Sequence, residues 1–397
     1  MDKIQNPFSP GAGSQPPALI GRDELLEDAE VLLARSMKGR AEKSMLITGL
    51  RGVGKTVLLN RIGQIAEKRG YHVVSLEVEE DVVFLHDLIQ KLKQELLKLS
   101  RVESIKTKAR KTLAILKAFA KAFKFKYEDF EFGLDMDEYS GIADSGNIDI
   151  DLPDLLCSIG DLAKENGIGI AIIIDEIQFV GSRELSALIR AMHKIQQRNL
   201  PVVLIGAGLP VMYELAGEAK SYAERLFSFP QLGPLGEADA IEAIRIPILE
   251  EGAEISDDAL GQIYSDTMGY PYFLQEWGYH AWNKADGNRI ELVDVQNAGA
   301  VAVRKLDENF FRVRFNRLTP KEKRFLHVMA MMPERPCKSS DIASAMGVKP
   351  NSIGPVRSSL LKKGMIYSPS YGKLDFTVPL FDRYMLRSMG EDVPSSL

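Results

Sequence analysis

The sequence predicts an α/β protein whose core is a parallel sheet, followed by a helical domain and a small C-terminal unit of helices and a hairpin. Apolar strands alternate with amphipathic helices from Leu19 to about residue 235, a glycine-rich loop joins the first strand to a helix, and the pattern is wholly helical from 236. The 397 residues are enough for two or three domains, and a hydrophobic fraction of 45% is typical of a folded globular protein.

The N-terminal residues 1–18 contain four prolines and two glycines, with little to bury. They predict a flexible or extended arm. A turn at Gly21 follows, and then an amphipathic helix with several leucines on one face. The polar residues 38–43 lead into the first strand.

The first strand, residues 45–48, runs into the sequence GLRGVGKT at 49–56, which fits the phosphate-loop pattern GxxxxGK(S/T). Glycines allow the backbone amides to approach phosphates, and the following helix 56–68 adds the positive end of its dipole. Lys55 can reach the β- and γ-phosphate oxygens, and Thr56 can offer a hydroxyl to Mg²⁺. The motif predicts ATP and Mg²⁺ as cofactors, with contacts from Gly49, Gly52, Val53, Gly54, Lys55, Thr56 and Val57.

A second strand, YHVVSLEVEED, and a helix at 84–99 precede a charged insertion of about 101–151. Nine Lys and Arg stand against one acid in 101–126, and ten acids with no base follow in 128–154. Alternating aromatic residues within 122–136 suggest a two-stranded ribbon. Two interpretations remain open: residues 101–154 present a charged surface to a partner or a neighbouring subunit, or they fold onto each other as a solvated appendage.

The strand IGIAIIIDE at 168–176 is apolar throughout, which is typical of a central strand, and it ends in Asp175 and Glu176. Ligands bind at the carboxyl ends of the strands in open α/β sheets. Asp175 is therefore a candidate ligand of Mg²⁺, and Glu176 a candidate base that polarises the attacking water. The alternative is a helix N-cap with a supporting acid. Helix 183–198, strand 201–206 and a short strand at 228–229 complete a core of residues 19–235.

Four predicted helices, 237–251, 256–267, 271–285 and 292–316, form a lid of residues 236–316. Residues 317–389 read as three helices, a hairpin and a closing helix, and 390–397 as a tail. The segment 317–389 has 13 Lys and Arg against five Asp and Glu, a balance of +8 in a chain whose net charge is −5. This pattern predicts a winged helix-turn-helix domain on double-stranded DNA, while an acidic protein partner remains the alternative. The predicted DNA contacts are Asn351, Ser352, Arg357, Ser358, Lys362, Lys363, Tyr371 and Lys373.

The cysteine content and the hydropathy of the chain indicate the cellular compartment that we expect for the protein. Cys157 and Cys337 lie far apart in the sequence and form no metal-ligand pattern. The N-terminus lacks the basic and apolar run of a signal peptide, and no apolar stretch approaches the length of a membrane span. We expect a cytoplasmic protein without a membrane partner.

These motifs resemble those of the AAA+ ATPases, in particular the origin-recognition branch and the related STAND signalling ATPases. The resemblance rests on LIGRDE at 19–24, the two Walker elements GLRGVGKT and IIIDE, SYAERL at 221–226 and GYP at 269–271. It implies that Ile20, Gly21 and Arg22 lie beside the adenine, and that Tyr270 and Pro271 bring the lid to the nucleotide. Two interpretations of Arg22 remain open: it anchors the loop beside the nucleotide, or it simply begins a helix whose first turn carries acidic residues. Tyr270 either stacks on the base or is a core aromatic.

The resemblance also implies that Arg225 is an arginine finger offered to the next subunit of a homo-oligomer, with a surface arginine paired to a nearby acid as the alternative. Two departures indicate slow hydrolysis. The strand 201–206 ends in Gly-Ala-Gly where AAA+ proteins place a polar sensor, and the lid helix begins YFLQEW without a sensor arginine.

Three hypotheses follow. The first is a slow AAA+ ATPase whose nucleotide state controls DNA binding through the winged helix. The second is a STAND-like switch whose winged helix binds a protein partner. The third is an inactive nucleotide-binding scaffold.

Overall fold

The computed structural model describes residues 1–11, 13, 16–17, 19–80, 83–125 and 141–390. The predicted ribbon lies outside the described residues from residue 126 onward, as does the tail after Gly390. The chain divides into two compact units. The sheet unit comprises Asp23–Thr48 and Leu58–Gln231, and the lid unit comprises Met1–Arg22, Gly49–Val57 and Leu232–Leu397.

The sheet unit is built on a parallel sheet with flanking helices, as the alternating pattern predicts. Its strands pair in the order β2-β3-β4-β1-β5, and β6 also pairs with β1. All seven residues of β3 are buried, because its isoleucine-rich sequence is covered on both faces. The elements are α1 Asp23–Met37, β1 Ser44–Gly49, α2 Lys55–Lys68, β2 Tyr71–Glu77, α3 Phe84–Leu99, α4 Lys106–Ala122, α5 Ile148–Glu165, β3 Gly169–Asp175, α6 Ser182–Gln197, β4 Val202–Gly208, α7 Met212–Ala219, α8 Ala223–Leu226, β5 Phe227–Ser228 and β6 Gln231–Leu232.

The basic part of the charged insertion is a core helix of the sheet unit. α4 is amphipathic, and its Leu113, Leu116 and Phe119 belong to the same buried cluster as the residues of β3. On its polar face Lys108 pairs with Glu165 at 2.6 Å. The interpretation of this segment as a separate appendage is therefore wrong for the helix, because the apolar face is needed by the core and only the opposite face remains charged.

The lid unit is helical, with two small sheets. Its lid elements are α9 Glu237–Glu250, β7 Glu254–Ile255, α10 Asp257–Thr267, α11 Pro271–Lys284, β8 Arg289–Ile290, α12 Leu292–Leu306 and α13 Arg312–Asn316. The predicted single helix 292–316 is interrupted by a π-helical turn at Asp307–Phe311. Within the described residues, no helix is long and apolar enough to cross a membrane.

The C-terminal segment of the lid unit contains three helices, a three-stranded sheet and a closing helix. The elements are α14 Pro320–Met331, β9 Cys337–Lys338, α15 Ser339–Ala345, a 3-10 turn Pro350–Ile353, α16 Gly354–Lys362, β10 Ile366–Tyr367, β11 Lys373–Phe376 and α17 Phe381–Met389. The strands pair antiparallel in the order β10-β11-β9. Three helices therefore precede the antiparallel pair β10-β11, and α17 follows it.

The N-terminal arm has more to bury than its composition predicts. Phe8 is only 2% exposed and joins the hydrophobic cluster of the lid unit. Its ring packs on Gly278 of α11, where a Cβ would lie 2.7 Å from the ring. Asn6 Nδ2 donates to the carbonyl oxygen of Tyr279 at 3.0 Å. The expectation that residues 1–18 bury little is therefore wrong for Phe8, because a glycine on α11 provides the space for one aromatic ring.

Candidate functional site

The glycine-rich loop follows β1 and leads directly into α2. Gly52 and Gly54 have φ angles of +81° and +93°, a region that favours glycine. At Gly49 a Cβ would clash with the carbonyl oxygen of Leu232. The glycines therefore stand where the backbone turns sharply or meets another segment. The turn brings the loop amides to the first turn of α2, whose own amides have no partner within the helix.

Lys55 is the first residue of α2 and is only 6% exposed. Its Nζ donates hydrogen bonds to the carbonyl oxygens of Gly49 and Leu50 at 3.0 and 2.9 Å. Thr56, the predicted magnesium ligand, is exposed, and Val57 is half-buried. The lysine ammonium is thus held against the backbone of its own loop.

Arg22 anchors this loop from the N-terminal side. Its Nη2 donates to the carbonyl oxygens of Val53 and Gly233 at 3.3 and 2.7 Å. Burial lowers the pKa of Arg22, and the nearby Asp239 carboxylate partly opposes this effect. Gly21 has φ +68°, and a Cβ there would lie 2.5 Å from the Asp239 carboxylate. Of the two interpretations of Arg22, the observed bonds match the loop anchor.

The Gly-Tyr-Pro segment forms the start of α11. Gly269 has φ +71°, and its carbonyl oxygen accepts a hydrogen bond from the Leu235 amide at 2.9 Å. Tyr270 is the N-cap residue and Pro271 the first helical residue. Tyr270 packs half-buried against the hydrophobic cluster of the lid unit, as does Ile20. Burial raises the pKa of Tyr270, and the Asp375 carboxylate adds to the shift.

Two backbone bonds join the glycine-rich loop to other parts of the lid unit. The Tyr272 amide donates to the carbonyl oxygen of Gly52 at 3.2 Å, which ties the loop to α11. The Arg51 amide donates to the carbonyl oxygen of Thr377 at 3.2 Å, just after β11. Thr377 is fully buried. The loop therefore contacts both the lid and the C-terminal segment, and the second of these contacts was not predicted from the sequence.

Asp175 is the last residue of the buried strand β3, and Glu176 follows it. Asp175 is 7% exposed, and its Oδ1 accepts a hydrogen bond from the Glu176 amide at 2.8 Å. Glu176 has φ 50° and ψ 38°, a left-handed conformation that is uncommon outside glycine. Such outliers are concentrated at functional sites. Because β1 and β3 run parallel in one sheet, both end at the same sheet edge.

Two side chains that the sequence did not single out lie at this edge. Glu77 stands in register with Asp175 on the neighbouring strand, and its pKa is raised by burial and by the Asp175 and Glu176 carboxylates. Gln178 Nε2 donates to Glu176 Oε2, and Gln178 Oε1 accepts from the Leu209 amide at 3.1 Å. Two features of the sequence could have indicated these residues: the strand that ends in the acidic run EVEED, and a glutamine two residues after the Asp-Glu pair. Glu77 and Asp175 thus place two carboxylates side by side at this edge, while within the described residues no group of three or more His, Cys, Asp or Glu side chains is arranged to hold a metal ion.

The end of β4 has no room for a polar sensor. A Cβ on Gly206 would lie 2.8 Å from both Ile177 Cδ1 and Leu46 Cδ2, and one on Gly208 would lie 2.6 Å from Gln178 Oε1. These glycines let the segment after Asp175 pack directly on β4. The missing sensor is therefore a packing requirement of this chain, and Gln178 occupies the neighbouring position.

Arg225 is exposed on the short helix α8. Across the residues described by the structure, its guanidinium has no ion pair, so the predicted pairing with a nearby acid is not observed. Its amide donates to the carbonyl oxygen of Tyr222 at 3.0 Å, which belongs to the helical turn.

Most of the predicted DNA-contacting residues are exposed. Asn351, Ser352, Ser358 and Lys362 are exposed on the 3-10 turn and α16, and Tyr371 is fully exposed at the hairpin tip. Three others are more enclosed. Lys373 is half-buried in β11, and Arg357 is half-buried with its Nε buried.

Lys363 differs most from its predicted role. Its Nζ donates to Glu322 Oε2 at 2.8 Å and to the carbonyl oxygen of Arg317 at 3.1 Å. A lysine that pairs with a buried carboxylate would leave that charge uncompensated if it moved to a phosphate. We therefore correct the expectation for Lys363: it holds the domain together, and Lys362 is the exposed cation beside it.

Comparisons with known protein families match two separate segments of the chain. Residues 18–205 match the family described as AAA ATPase domain, and residues 308–385 match the family described as Domain of unknown function (DUF8462). No curated protein sequence matches the chain.

Several solved structures are similar along nearly the whole chain. A Walker-type ATPase of Pyrococcus abyssi is 15% identical, with 95% of this chain and 99% of that chain covered and a TM-score of 0.60. The RuvB Holliday junction branch migration motor of Thermotoga maritima is 16% identical, with 96% and 100% covered and a TM-score of 0.45. The Orc1 protein of Aeropyrum pernix, in complex with DNA, is 16% identical, with 94% of each chain covered and a TM-score of 0.46. At such identities the first similarity concerns the fold alone, and the other two are too weak to carry an argument.

Proposed function

We propose that the protein binds ATP with Mg²⁺, hydrolyses it slowly, and uses its nucleotide state to control binding of double-stranded DNA. The proposal proceeds from the match of residues 18–205 to the AAA ATPase domain family, which agrees with the two Walker elements. The observation that carries the ATP proposal is the loop 49–56, with two left-handed glycines and a lysine at the start of α2. Backbone amides, a helix N-terminus and one ammonium together suit a triphosphate.

The proposed roles follow from side-chain chemistry. Lys55 exchanges its bonds to loop carbonyl oxygens for bonds to the β- and γ-phosphates. Thr56 and Asp175 hold Mg²⁺, which when bound neutralises part of the phosphate charge. Glu176 accepts a proton from the attacking water.

Gln178 is proposed as the residue that positions Glu176. It joins the Glu176 carboxylate to the backbone at the end of β4, where the chain has glycines in place of a polar sensor. Slow hydrolysis follows, because β4 ends in Gly-Ala-Gly and so offers no side-chain donor that would stabilise the γ-phosphate in the transition state.

Exposure and charge support the DNA proposal. Asn351, Ser352, Ser358 and Lys362 form an exposed set on consecutive turns, and Tyr371 projects from the hairpin tip. A helix with such side chains can meet base edges and phosphates while the hairpin meets the backbone.

One observation favours the second candidate, a STAND-like switch with a protein partner. The Arg51 amide bonds to Thr377, so the phosphate loop and the C-terminal segment already contact each other. In this candidate ATP binding loosens that contact, and the freed C-terminal segment binds an acidic protein. Arg225 serves either candidate as a finger in a homo-oligomer, and the acidic residues of 101–154 remain a candidate surface for another protein.

The ATP proposal is tested with ATP binding and turnover measured on the full chain. We expect Lys55→Ala to abolish binding, and Glu176→Gln to retain binding while turnover falls by about two orders of magnitude. Lys68→Ala, an exposed lysine at the other end of α2, is the control and should change neither. Unaltered turnover in Glu176→Gln would overturn the role of Glu176 in hydrolysis. Absence of turnover in the wild-type chain would support the third hypothesis, an inactive nucleotide-binding scaffold.

The DNA proposal is tested by fluorescence anisotropy with a labelled duplex at low salt, with ADP and with a non-hydrolysable ATP analogue. We expect the two nucleotides to give different affinities, and Lys362→Glu to weaken binding and flatten its salt dependence. Lys284→Glu changes the net charge equally on an exposed residue of α11 and should bind like the wild type. Undetectable DNA binding, or an equal loss of affinity in both variants, would exclude the DNA proposal and favour the STAND-like switch with a protein partner.

A further inference from the structure

A cavity of about 300 Å³ lies within the lid unit, among α10, α11, α12 and α17. None of the residues that line it belongs to the glycine-rich loop or to the acidic pair Asp175-Glu176. Its volume falls at the lower end of the range for small-molecule sites, which combine apolar walls with a few polar groups. The residues that decide its chemistry are Asp266, Trp277, Val303, Phe311, Arg383 and Arg387.

Among the residues that the structure describes, one carboxylate lines the cavity, and it is already satisfied by the protein. Asp266 Oδ1 accepts a hydrogen bond from Gln262 Nε2 at 2.8 Å, and Oδ2 accepts one from the Trp277 indole at 3.1 Å. A cation would have to displace these donors. The cavity therefore does not favour a cationic ligand.

The two arginines of the cavity differ in their partners. Arg387 forms a bidentate pair with Asp307, at 3.0 and 2.5 Å. Arg383 lies one turn earlier on α17 and is exposed, and among the residues that the structure describes it has no ion pair. Arg383 is thus a guanidinium at the cavity wall that can accept an anionic ligand, and its planar fork matches a carboxylate.

The remaining wall is apolar. Val303, Leu306, Phe311 and Leu380 line it, beside the ring of Trp277. Gly299 also lines the cavity, next to the Trp277 indole. The ligand should therefore carry an apolar body next to its charge.

The backbone at the cavity is also unusual. The π-helical turn Asp307–Phe311 supplies Phe311 to the wall and Asp307 to the pair with Arg387. π-helical turns are rare and occur frequently at functional sites. The π-helical turn and the exposed Arg383 are two independent observations that indicate a functional site at this cavity.

We propose that this cavity binds a small amphipathic carboxylate, with the carboxylate on Arg383 and the apolar body against Val303 and Phe311. The ligand would join the lid helices to α17 of the C-terminal segment. The site uses none of the residues assigned to ATP or DNA binding, so this proposal can be tested independently of the proposed function.

The test measures binding of hydrocinnamate to the full chain by calorimetry and by tryptophan fluorescence, since Trp277 is one of only two tryptophans. We expect binding at millimolar concentration or below, with about tenfold weaker binding of the neutral hydrocinnamamide and of hydrocinnamate to Arg383→Gln. Ala300→Phe, on an exposed residue at the cavity wall, should block the site.

Arg304→Gln removes an exposed arginine of α12 outside the cavity and should bind like the wild type. Absence of hydrocinnamate binding, or equal affinity in Arg383→Gln and the wild type, would overturn the proposal. Repeating the titration on Lys55→Ala separates the two sites, because the cavity should bind its ligand whether or not the loop binds ATP.

Discussion

Replacing Glu322 with glutamine should destabilise the C-terminal segment by an amount that depends on pH. Glu322 is only 3% exposed at the start of α14. Its carboxylate accepts hydrogen bonds from Lys363 Nζ at 2.8 Å, Ser359 Oγ at 2.6 Å and the Thr319 amide at 2.7 Å. One charge thus joins the first helix of the segment to α16.

The pKa of Glu322 sets the size of the effect. Burial raises it, but the bonds from Lys363, Ser359 and Thr319 outweigh burial and lower the pKa from 4.5 to about 2. Because the folded pKa lies below the unfolded one, this stabilisation is complete above about pH 5 and is lost as pH falls toward 2. The difference between the folded and the unfolded pKa of Glu322 corresponds to about 3 kcal/mol of folding stability at neutral pH, and to about half of that at pH 3.

The assay is hydrogen exchange of the α14 amides in the full chain, for wild type and Glu322→Gln. We expect the variant to lose about 3 kcal/mol of protection at about pH 7, and clearly less at about pH 3. Glu334→Gln, an exposed glutamate of the same segment, should match the wild type at both pH values. A gap of equal size at both pH values would refute the reasoning, because it would show that the charge of Glu322 does not stabilise the fold.

Two further predictions concern turnover. Gln178→Leu should retain ATP binding and slow hydrolysis about tenfold or more, because Glu176 loses the amide that joins it to Leu209. Gln197→Leu, on α6, is the control and should hydrolyse ATP at the wild-type rate. An unchanged rate in Gln178→Leu would show that Gln178 does not position Glu176. The specific ATPase activity of the wild type should rise with protein concentration and that of Arg225→Ala should not; a flat wild-type profile together with a normal variant would exclude the arginine finger.

The carboxylate edge illustrates the limits of reasoning from sequence. Asp175 and Glu176 were recognisable because a buried strand ends at an Asp-Glu pair. Glu77 and Gln178 were not, because their importance depends on which strand is the neighbour of β3 and on where a side chain turns. Strand order and rotamers are set by packing, which a local pattern does not contain.

The C-terminal segment shows the same division. Its charge excess and its element order followed from the sequence, since both are properties of consecutive residues. The role of Lys363 did not, because a lysine next to Lys362 in the sequence is separated from it in space by the turn of a helix and meets a buried carboxylate.

The sequence by itself determined the parallel α/β core, the glycine-rich loop and the helical region that follows, because these depend on periodicity and on the conformations that glycine allows. Only the tertiary structure decided that Phe8 is buried, that α4 is a core helix, that Arg22 holds the loop and that a cavity opens beside Arg383. Each of these joins residues distant in sequence, and such contacts are chosen by the fit of whole surfaces rather than by any local run of residues.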